Sequence, residues 1–323
     1  MDNQALLIVK NLKKYYPLRS GFFKRSKKYI KAVNGVSLTV KKGEILGIVG
    51  ESGCGKTTLG RCILRLEEPT EGKVYFEDED ILSYDRKKMR KLRQHMQIVF
   101  QDPYSSLDPR KVVGQIIGES FKIHNIHSRM ERKARVKQLM ETVGLLPEHI
   151  NRYPHEFSGG QRQRICVARA LSLNPKLIIA DEPVSALDVS IQAQILNLFV
   201  QLQQQFELTY IFISHDLSVI RHISDWVAVM YLGSIVELRT GKSLFSHAFH
   251  PYTQALLEAV PRLNPLNQKE RIFLKGDVPS PINSPPGCNF HPRCKYRKDI
   301  CTKKVPIMTE IEEEQWVACH FPK

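Results

Sequence analysis

Between residues 5 and 50, short apolar runs alternate with turn residues, and "ALLIVKNL", "AVNGVSLTV" and "EILGIVG" each have the composition of a strand. The last ends in glycine immediately before the helical segment "GKTTLGRCILRLEEP", which gives a strand, loop, helix order. "GKVYFEDEDI" and "MQIVFQD" (96–102) predict two more strands. Residues 111–154 show mostly helical spacing with few strand formers, as for a helical subdomain inserted in a sheet. From Ser158 the alternation returns: a helix over 158–173, the strand "KLIIAD", a helix over 190–206, the strand "TYIFISH", another helix, the strand "WVAVMYLG" and a hairpin through "GSIVELRTG". Helices set between nearly continuous apolar strands predict an α/β fold with a parallel sheet covered on both faces. Beyond Phe249 the chain turns proline-rich with little periodicity ("NPLNQ", "VPSPINSPPG"). This predicts a C-terminal annex over 249–323 beside a main domain over 1–248.

With 323 residues, 42% hydrophobic and 25% charged, the chain has apolar material for one large core and a smaller annex. It contains no apolar run of about 18 residues, and its start, "MDNQALLIVKNLKK", lacks the regions of a secretory signal, so a cytosolic protein is expected. The formal net charge of +15 fits a phosphate-rich partner such as nucleic acid or an anionic membrane, and equally a solvated basic face. The charge is densest at "RSGFFKRSKKYIK" (19–31) and "DRKKMRKLR" (85–93), and neither stretch interleaves aromatics as a nucleic-acid platform does.

"GESGCGKT" fits G-x-x-x-x-G-K-[ST] and stands between a predicted strand and a predicted helix, where a phosphate-binding loop must stand. Its glycines let the backbone wrap closely, so that N–H groups and the following helix N-terminus can face phosphate oxygens. Lys56 adds charge at the β- and γ-phosphates and Thr57 offers a hydroxyl to magnesium. Gly50, Glu51, Ser52, Gly53, Cys54, Gly55, Lys56, Thr57 and Thr58 are therefore the candidates to hold the phosphates of a nucleotide. Further on, "KLIIADEP" (176–183) delivers Asp181 and Glu182 at the C-terminal end of an apolar strand, where open α/β sheets bind ligands. Carboxylates after a strand are often only helix caps; downstream of a phosphate loop, Asp181 is a candidate magnesium ligand and Glu182 a candidate to polarise an attacking water.

With "FSGGQRQR" (157–164) between these two elements, the chain resembles the ATP-binding subunits of ABC transporters, whose signature LSGGQ appears here with Phe157 in place of leucine. The resemblance implies a P-loop, ABC-type nucleotide-binding domain with an antiparallel β subdomain, the helical subdomain at about 111–154 and a small annex rich in proline and cysteine. It also implies a composite site: Ser158, Gly159, Gly160 and Gln161, at a helix start, would contact the γ-phosphate held by a second subunit. By the same resemblance, Gln101 in "FQDP" touches magnesium and the attacking water, "SALD" (185–188) crosses the dimer, and His215 in "ISHD" contacts the γ-phosphate. Tyr16 in "LKKYYP" stacks on adenine, with Tyr15 as its near rival.

"VFQDPYSSLDPR" (99–110), "HPYTQALLEAVP" (250–261), "GCNFHPRC" (287–294) and the opening "YYPLRSGFFKRSKKYIKAVNGVSL" are similar to the dipeptide and oligopeptide importer branch, in the F-type of its two paired ATPases. Implied partners are a second, related ATPase in a heterodimer, two transmembrane permeases and, indirectly, a solute-binding protein. The implied place is the cytoplasmic face of the cell membrane. Nickel and other solute importers share the branch. A competing class, a soluble ABC ATPase acting on nucleic acid, commonly carries two cassettes or a long coiled-coil insertion, and this sequence has neither, so no nucleic acid is expected. A vestigial ATPase with a sensing role is opposed by intact Lys56, Glu182 and His215.

Four of the seven cysteines, Cys288, Cys294, Cys301 and Cys319, follow a C-x5-C-x6-C-x17-C spacing. In a reducing compartment such a set reads as ligands rather than disulfides. It lacks the close pairs usual for structural zinc; an iron–sulfur cluster, zinc, and buried thiols without metal all remain open from spacing alone. The resemblance implies a [4Fe–4S] cluster on these four positions, with zinc as the alternative and His291 and His320 as neighbours. Cys54, Cys62 and Cys166 are scattered and read as packing residues.

Overall fold

The computed structural model describes residues 4–18, 28–259 and 279–323. Residues 19–27 of the basic stretch and 260–278 of the proline-rich stretch, with "NPLNQ", lie outside the described residues. In chain order the strands are β1 (Ala5–Pro17), β2 (Tyr29–Lys41), β3 (Ile45–Val49), β4 (Glu71–Phe76), β5 (Glu79–Asp80), β6 (Met96–Val99), β7 (Leu177–Asp181), β8 (Thr209–Ser214), β9 (Trp226–Tyr231), β10 (Ser234–Thr240), β11 (Thr309–Glu312) and β12 (Gln315–Val317). The helices are α1 (Lys56–Ile63), α2 (Arg86–Leu92), α3 (Pro103–Ser106), α4 (Val113–Ile123), α5 (Arg129–Thr142), α6 (Gly159–Leu171), α7 (Val189–Phe206), α8 (Leu217–Ile223), α9 (Gly241–Ser246), α10 (Pro251–Ala259) and α11 (Asp299–Lys303).

Two compact units divide the chain. The first is built from Lys42–Glu44 and Tyr84–Ile213, the second from the described residues of Gln4–Lys41, Ile45–Ser83 and Ser214–Lys323. In the first unit β6, β7 and β8 run parallel, with Val99 level with Ala180 and Asp181 level with Ile213. β7 and β8 are buried along their whole length, which explains the apolar runs 177–180 and 210–213 within them. Phe199 of α7 meets Tyr210 and Phe212 of β8 edge-on at 5.5 and 5.4 Å, pinning that helix to the strand. The helical segment expected at 111–154 resolves into α4, α5 and two short 3₁₀ turns, with Ser128 and Glu131 forming a capping box at the start of α5.

The second unit holds an antiparallel sheet in the order β2-β1-β4-β5. On β2, Val36, Leu38 and Val40 are buried and Ser37 and Thr39 exposed, the two-residue period of a strand with one wet face. β3 and β9 pair in parallel in the same unit; β10, β12 and β11 extend that group in antiparallel fashion. The parallel sheet expected from the sequence is thus a mixed one. The annex also has more regular structure than its composition suggested. Its hairpin β11–β12 adds to β10 through Glu237↔Val317 and Leu238↔Trp316, and Trp316 comes to rest 6.0 Å from Trp226 of β9. Strands of four and three residues carry too little alternation to be read locally. The basic stretch 85–93 forms helix α2, started by Asp85, whose side chain accepts from Lys88 N–H.

Candidate functional site

In the second unit the fully buried β3 runs into the loop 50–55 and then into α1. Gly55 sits at φ 107°, and a Cβ there would lie 1.9 Å from the carbonyl oxygen of Ala32; only glycine allows the backbone to pass. Around this turn Lys56 folds inward. It is 5% exposed, and its ammonium donates to the carbonyls of Gly50 (2.7 Å) and Glu51 (3.2 Å). Carbonyl dipoles hold a cation without neutralising it, so the loop keeps a net positive charge at its centre. Ser52 and Gly53 form the exposed rim, while Cys54 is buried and burial pushes its thiol up, which keeps it neutral beside Lys56.

Of the two tyrosines that end β1, Tyr16 is the one beside α1. Its hydroxyl donates to the Glu67 carboxylate and neighbours Thr58, and burial together with Glu67 pushes it up to about 12. Lys14 stands over its ring at 4.9 Å. Tyr15 turns instead to Asn34, with 2.5 Å between its hydroxyl and the amide oxygen. His215, directly after β8, is exposed, and Asp216 behind it caps α8 by accepting from Ser218 N–H.

In the first unit β7 delivers Asp181, 3% exposed, and then Glu182 at φ 47°, a left-handed conformation uncommon for a residue with a side chain. Glu182 N–H donates to the carbonyl of Ile213 and its own carbonyl accepts from Ser185, so the turn is fixed on both sides. Gln101, two residues beyond β6, donates from Nε2 to Oε2 of Glu182 at 2.9 Å. The signature stands at the start of α6. Ser158 Oγ accepts from Gln161 N–H and Gln161 Oε1 accepts from Ser158 N–H, a reciprocal cap. Phe157, the departure from the family leucine, is buried at 3% exposure and keeps the apolar role of that position. A Cβ on Gly160 would lie 2.5 Å from Ile191 of α7, so the helix start lies close against α7. Gln101 and Glu182 are thus brought into contact, whereas Ser158 and Gln161 bond to each other.

The annex cysteines gather around one small cavity of about 20 Å³, lined by Cys288, Cys294, Cys301 and Cys319 together with His250, His291 and His320. Burial first, and then the neighbouring thiols, push Cys319 up to about 11; burial likewise raises Cys288 and Cys294. Among the described residues no three His, Cys, Asp or Glu side chains form, as they stand, a group that could hold a metal ion. His291 Nδ1 lies 2.9 Å from the carbonyl oxygen of Cys288, and His320 Nε2 lies 2.9 Å from that of Lys304. Both histidines are thereby tied to backbone.

Sequence reasoning missed the residues that root this annex in its unit. Glu237 of β10 is fully buried and accepts from the N–H groups of Phe249 and His250. His250 Nδ1 in turn accepts from Tyr252 N–H, and burial holds its imidazole down at about 3, so it stays neutral. Phe290 packs its ring against Tyr231, Tyr252 and His250. Arg293 forks onto Glu51 of the 50–55 loop at 2.7 and 3.0 Å. The stretches that contain His250, Tyr252, Phe290 and Arg293, "HPYTQALLEAVP" and "GCNFHPRC", stood out only as branch motifs; their roles needed the fold.

A family model described as "ABC transporter" matches residues 33–185, and one described as "Oligopeptide/dipeptide transporter, C-terminal region" matches residues 236–301. The chain is 55% identical over 323 residues to the oligopeptide transport ATP-binding protein AppF of Bacillus subtilis (strain 168), covering 99% of this chain and 98% of that protein. It is 52% identical over 316 residues to the dipeptide transport ATP-binding protein DppF of Escherichia coli (strain K12), covering 98% and 94%. Among solved structures, cbiO1 from Clostridium perfringens, part of the ABC transporter complex cbiONQ, matches with a TM-score of 0.64 at 29% identity over 75% of this chain and 91% of its own. The ATP-binding cassette MJ0796, in a dimeric post-hydrolysis state bound to ADP and Pi, matches with a TM-score of 0.63 at 30% identity over 72% and 98%. Matched over nearly its full length at such identity, the chain belongs to the ABC transporter ATP-binding proteins, in the branch that carries the oligopeptide/dipeptide transporter C-terminal region.

Proposed function

We propose that this ATP hydrolase powers import of dipeptides or oligopeptides across the cytoplasmic membrane, as a peripheral subunit on the cytoplasmic face of an ABC transporter. The observation that carries this reading is the likeness over 98–99% of the chain to ATP-binding proteins of oligopeptide and dipeptide transport. Among the described residues no helix is long and apolar enough to cross a membrane, so in this reading the pore belongs to two permease subunits. A solute-binding protein would hand them the peptide.

The loop Gly50–Thr58 takes the phosphates of ATP. Lys56, now held by two loop carbonyls, turns its ammonium to the β- and γ-oxygens, and Tyr16 offers its ring to adenine. Magnesium neutralises phosphate charge when it is bound with the nucleotide. Thr57, Asp181 and Gln101 fit it by donor type, all three being hard oxygen ligands. Glu182, fixed by Gln101 and by its backbone turn, orients the attacking water, and His215 contacts the γ-phosphate. The exposed start of α6, with Ser158, Gly159, Gly160 and Gln161, serves the nucleotide of a second, related ATPase, so the working unit is a heterodimer.

We read residues 249–323 as the annex that bears a [4Fe–4S] cluster on Cys288, Cys294, Cys301 and Cys319, with zinc as the alternative. The support is convergence: four sulfurs line one cavity, and each thiolate formed there would repel the others unless a cationic centre balanced them. Such a cluster staples a segment too small to build a core of its own.

Uptake of a labelled dipeptide and a labelled oligopeptide, in cells whose only copy carries Glu182→Gln, tests the cargo. Loss of peptide uptake with intact nickel uptake is expected. Unchanged peptide uptake, or loss confined to nickel or another solute, overturns the reading.

A further inference from the structure

Glu51 is the second residue of the phosphate loop, and the annex holds it at two points. Both guanidinium nitrogens of Arg293 donate to its carboxylate, at 2.7 and 3.0 Å, across 242 residues of sequence. The Arg293 side chain is 6% exposed and that of Glu51 25%, so this is a desolvated, two-pronged ion pair rather than a surface contact. Independently, the N–H of Glu51 donates to the hydroxyl of Tyr252 at 2.9 Å. Tyr252 is itself fixed: its ring packs on Phe290 and Tyr231, and its N–H donates to His250. Phe290 precedes, and Arg293 ends, a single 3₁₀ turn, His291–Arg293, which lies between Cys288 and Cys294. The annex therefore fixes both the side chain and the backbone of a loop residue, the first directly through Arg293 of this turn and the second through Tyr252 of α10, on whose ring Phe290 packs.

A phosphate loop works by presenting backbone N–H groups that need no reorganisation when the anion arrives. A further contact of the loop, Gly233 N–H to the carbonyl of Cys54, comes from the β9–β10 turn rather than from the annex. We propose that Arg293 is a positioning residue for nucleotide binding: by clamping Glu51 it holds the phosphate loop in its binding shape, and it makes affinity for ATP depend on whether the cysteine-bearing turn of the annex is in place. This rests on the reading of Gly50–Thr58 as the phosphate site. The turn at 290–293 then acts on nucleotide binding without touching the nucleotide.

Two measurements on the full chain separate the clamp from the site on which it acts. Amide hydrogen exchange over residues 50–55 without nucleotide reads the clamp, and titration with a fluorescent ATP analogue in magnesium reads its consequence. Arg293→Gln should speed loop exchange and weaken binding about tenfold, a change of about 1.4 kcal/mol. Arg293→Lys, with one donor direction in place of a fork, should fall between. Glu51→Gln approaches the pair from the loop side with the annex sequence intact, and should reproduce the faster exchange even where an Arg293 variant folds poorly. Unchanged exchange and unchanged affinity in both Arg293→Gln and Glu51→Gln would overturn the clamp. Lys56→Ala distinguishes the underlying reading: if it binds the analogue as the parent does, the phosphate-loop assignment fails, while the exchange data still decide whether Arg293 orders the loop.

Discussion

Gln101 Nε2 and Glu182 Oε2 lie 2.9 Å apart because the strands before them are in register: Val99 of β6 is level with Ala180 of β7, and each functional side chain follows two residues later. The pairing of β6 with β7 thus sets a polar contact beyond their ends. Glu182→Gln keeps the shape and removes the charge that would polarise water. Hydrolysis should fall by roughly 10²- to 10⁴-fold while ATP still binds and still drives association with the partner ATPase. Phosphate release and analytical ultracentrifugation read the two halves. Undiminished hydrolysis, or loss of ATP-driven association, refutes the role given to Glu182.

Lys56 is held by two loop carbonyls and is nearly inaccessible. Truncating it to alanine removes charge-assisted bonds to phosphate, and the affinity for ATP measured calorimetrically should drop by about 2 kcal/mol. The overall fold should persist, because no carboxylate is left unpaired by the change.

Gly55→Ala asks the loop to accept a Cβ at φ 107° and 1.9 Å from the carbonyl of Ala32. The strain should cost about 2 kcal/mol or more and lower the melting temperature by several degrees, with nucleotide binding lost in parallel. An alanine variant with parental stability and affinity would show that the turn tolerates another course.

Acid sensitivity should be traceable to His250. Burial holds its folded value at about 3, whereas the unfolded chain takes up that proton near pH 6.5, so the contribution to stability is complete above about 6.5 and is lost as pH falls toward about 3. Its slope approaches about 1.4 kcal/mol per pH unit within that window. His250→Asn keeps an acceptor for Tyr252 N–H without a titrating ring; urea midpoints across pH 4–7 should be flatter for the variant than for the parent. Parallel curves would remove His250 from the account.

Protein purified without oxygen should be brown and contain about four iron and four acid-labile sulfide per chain, and Cys294→Ser should lose both. Colourless protein with stoichiometric zinc instead would replace the cluster by the zinc alternative.

What could be read in advance and what could not divide along sequence distance. β3, β7 and β8 announce themselves because burial on both faces makes their interiors continuously apolar, and the phosphate loop because its glycines and lysine fall within one short stretch. Ser158 and Gln161 complete their cap within three residues. The partners of Glu51 are 201 and 242 residues away, and no local pattern marks an arginine or a tyrosine that will meet a loop across such a separation. Helix α2 was hidden by composition: with five cations in seven residues and Met89 as its one buried side chain, it has no apolar stripe, and its start depends on the Asp85 cap. The annex strands were hidden by length. β12 has three residues and owes its conformation to β10, an edge that already existed.

The ring contact between Trp226 and Trp316 joins the chain's two tryptophans across the seam where hairpin β11–β12 meets β10 and β9. Nature has in effect placed a label-free optical gauge there. Detachment of the hairpin would part the indoles and alter their emission, so the attachment of the annex can be followed in a fluorimeter, in real time and in the unmodified protein, while nucleotide is added or the cysteines are oxidised.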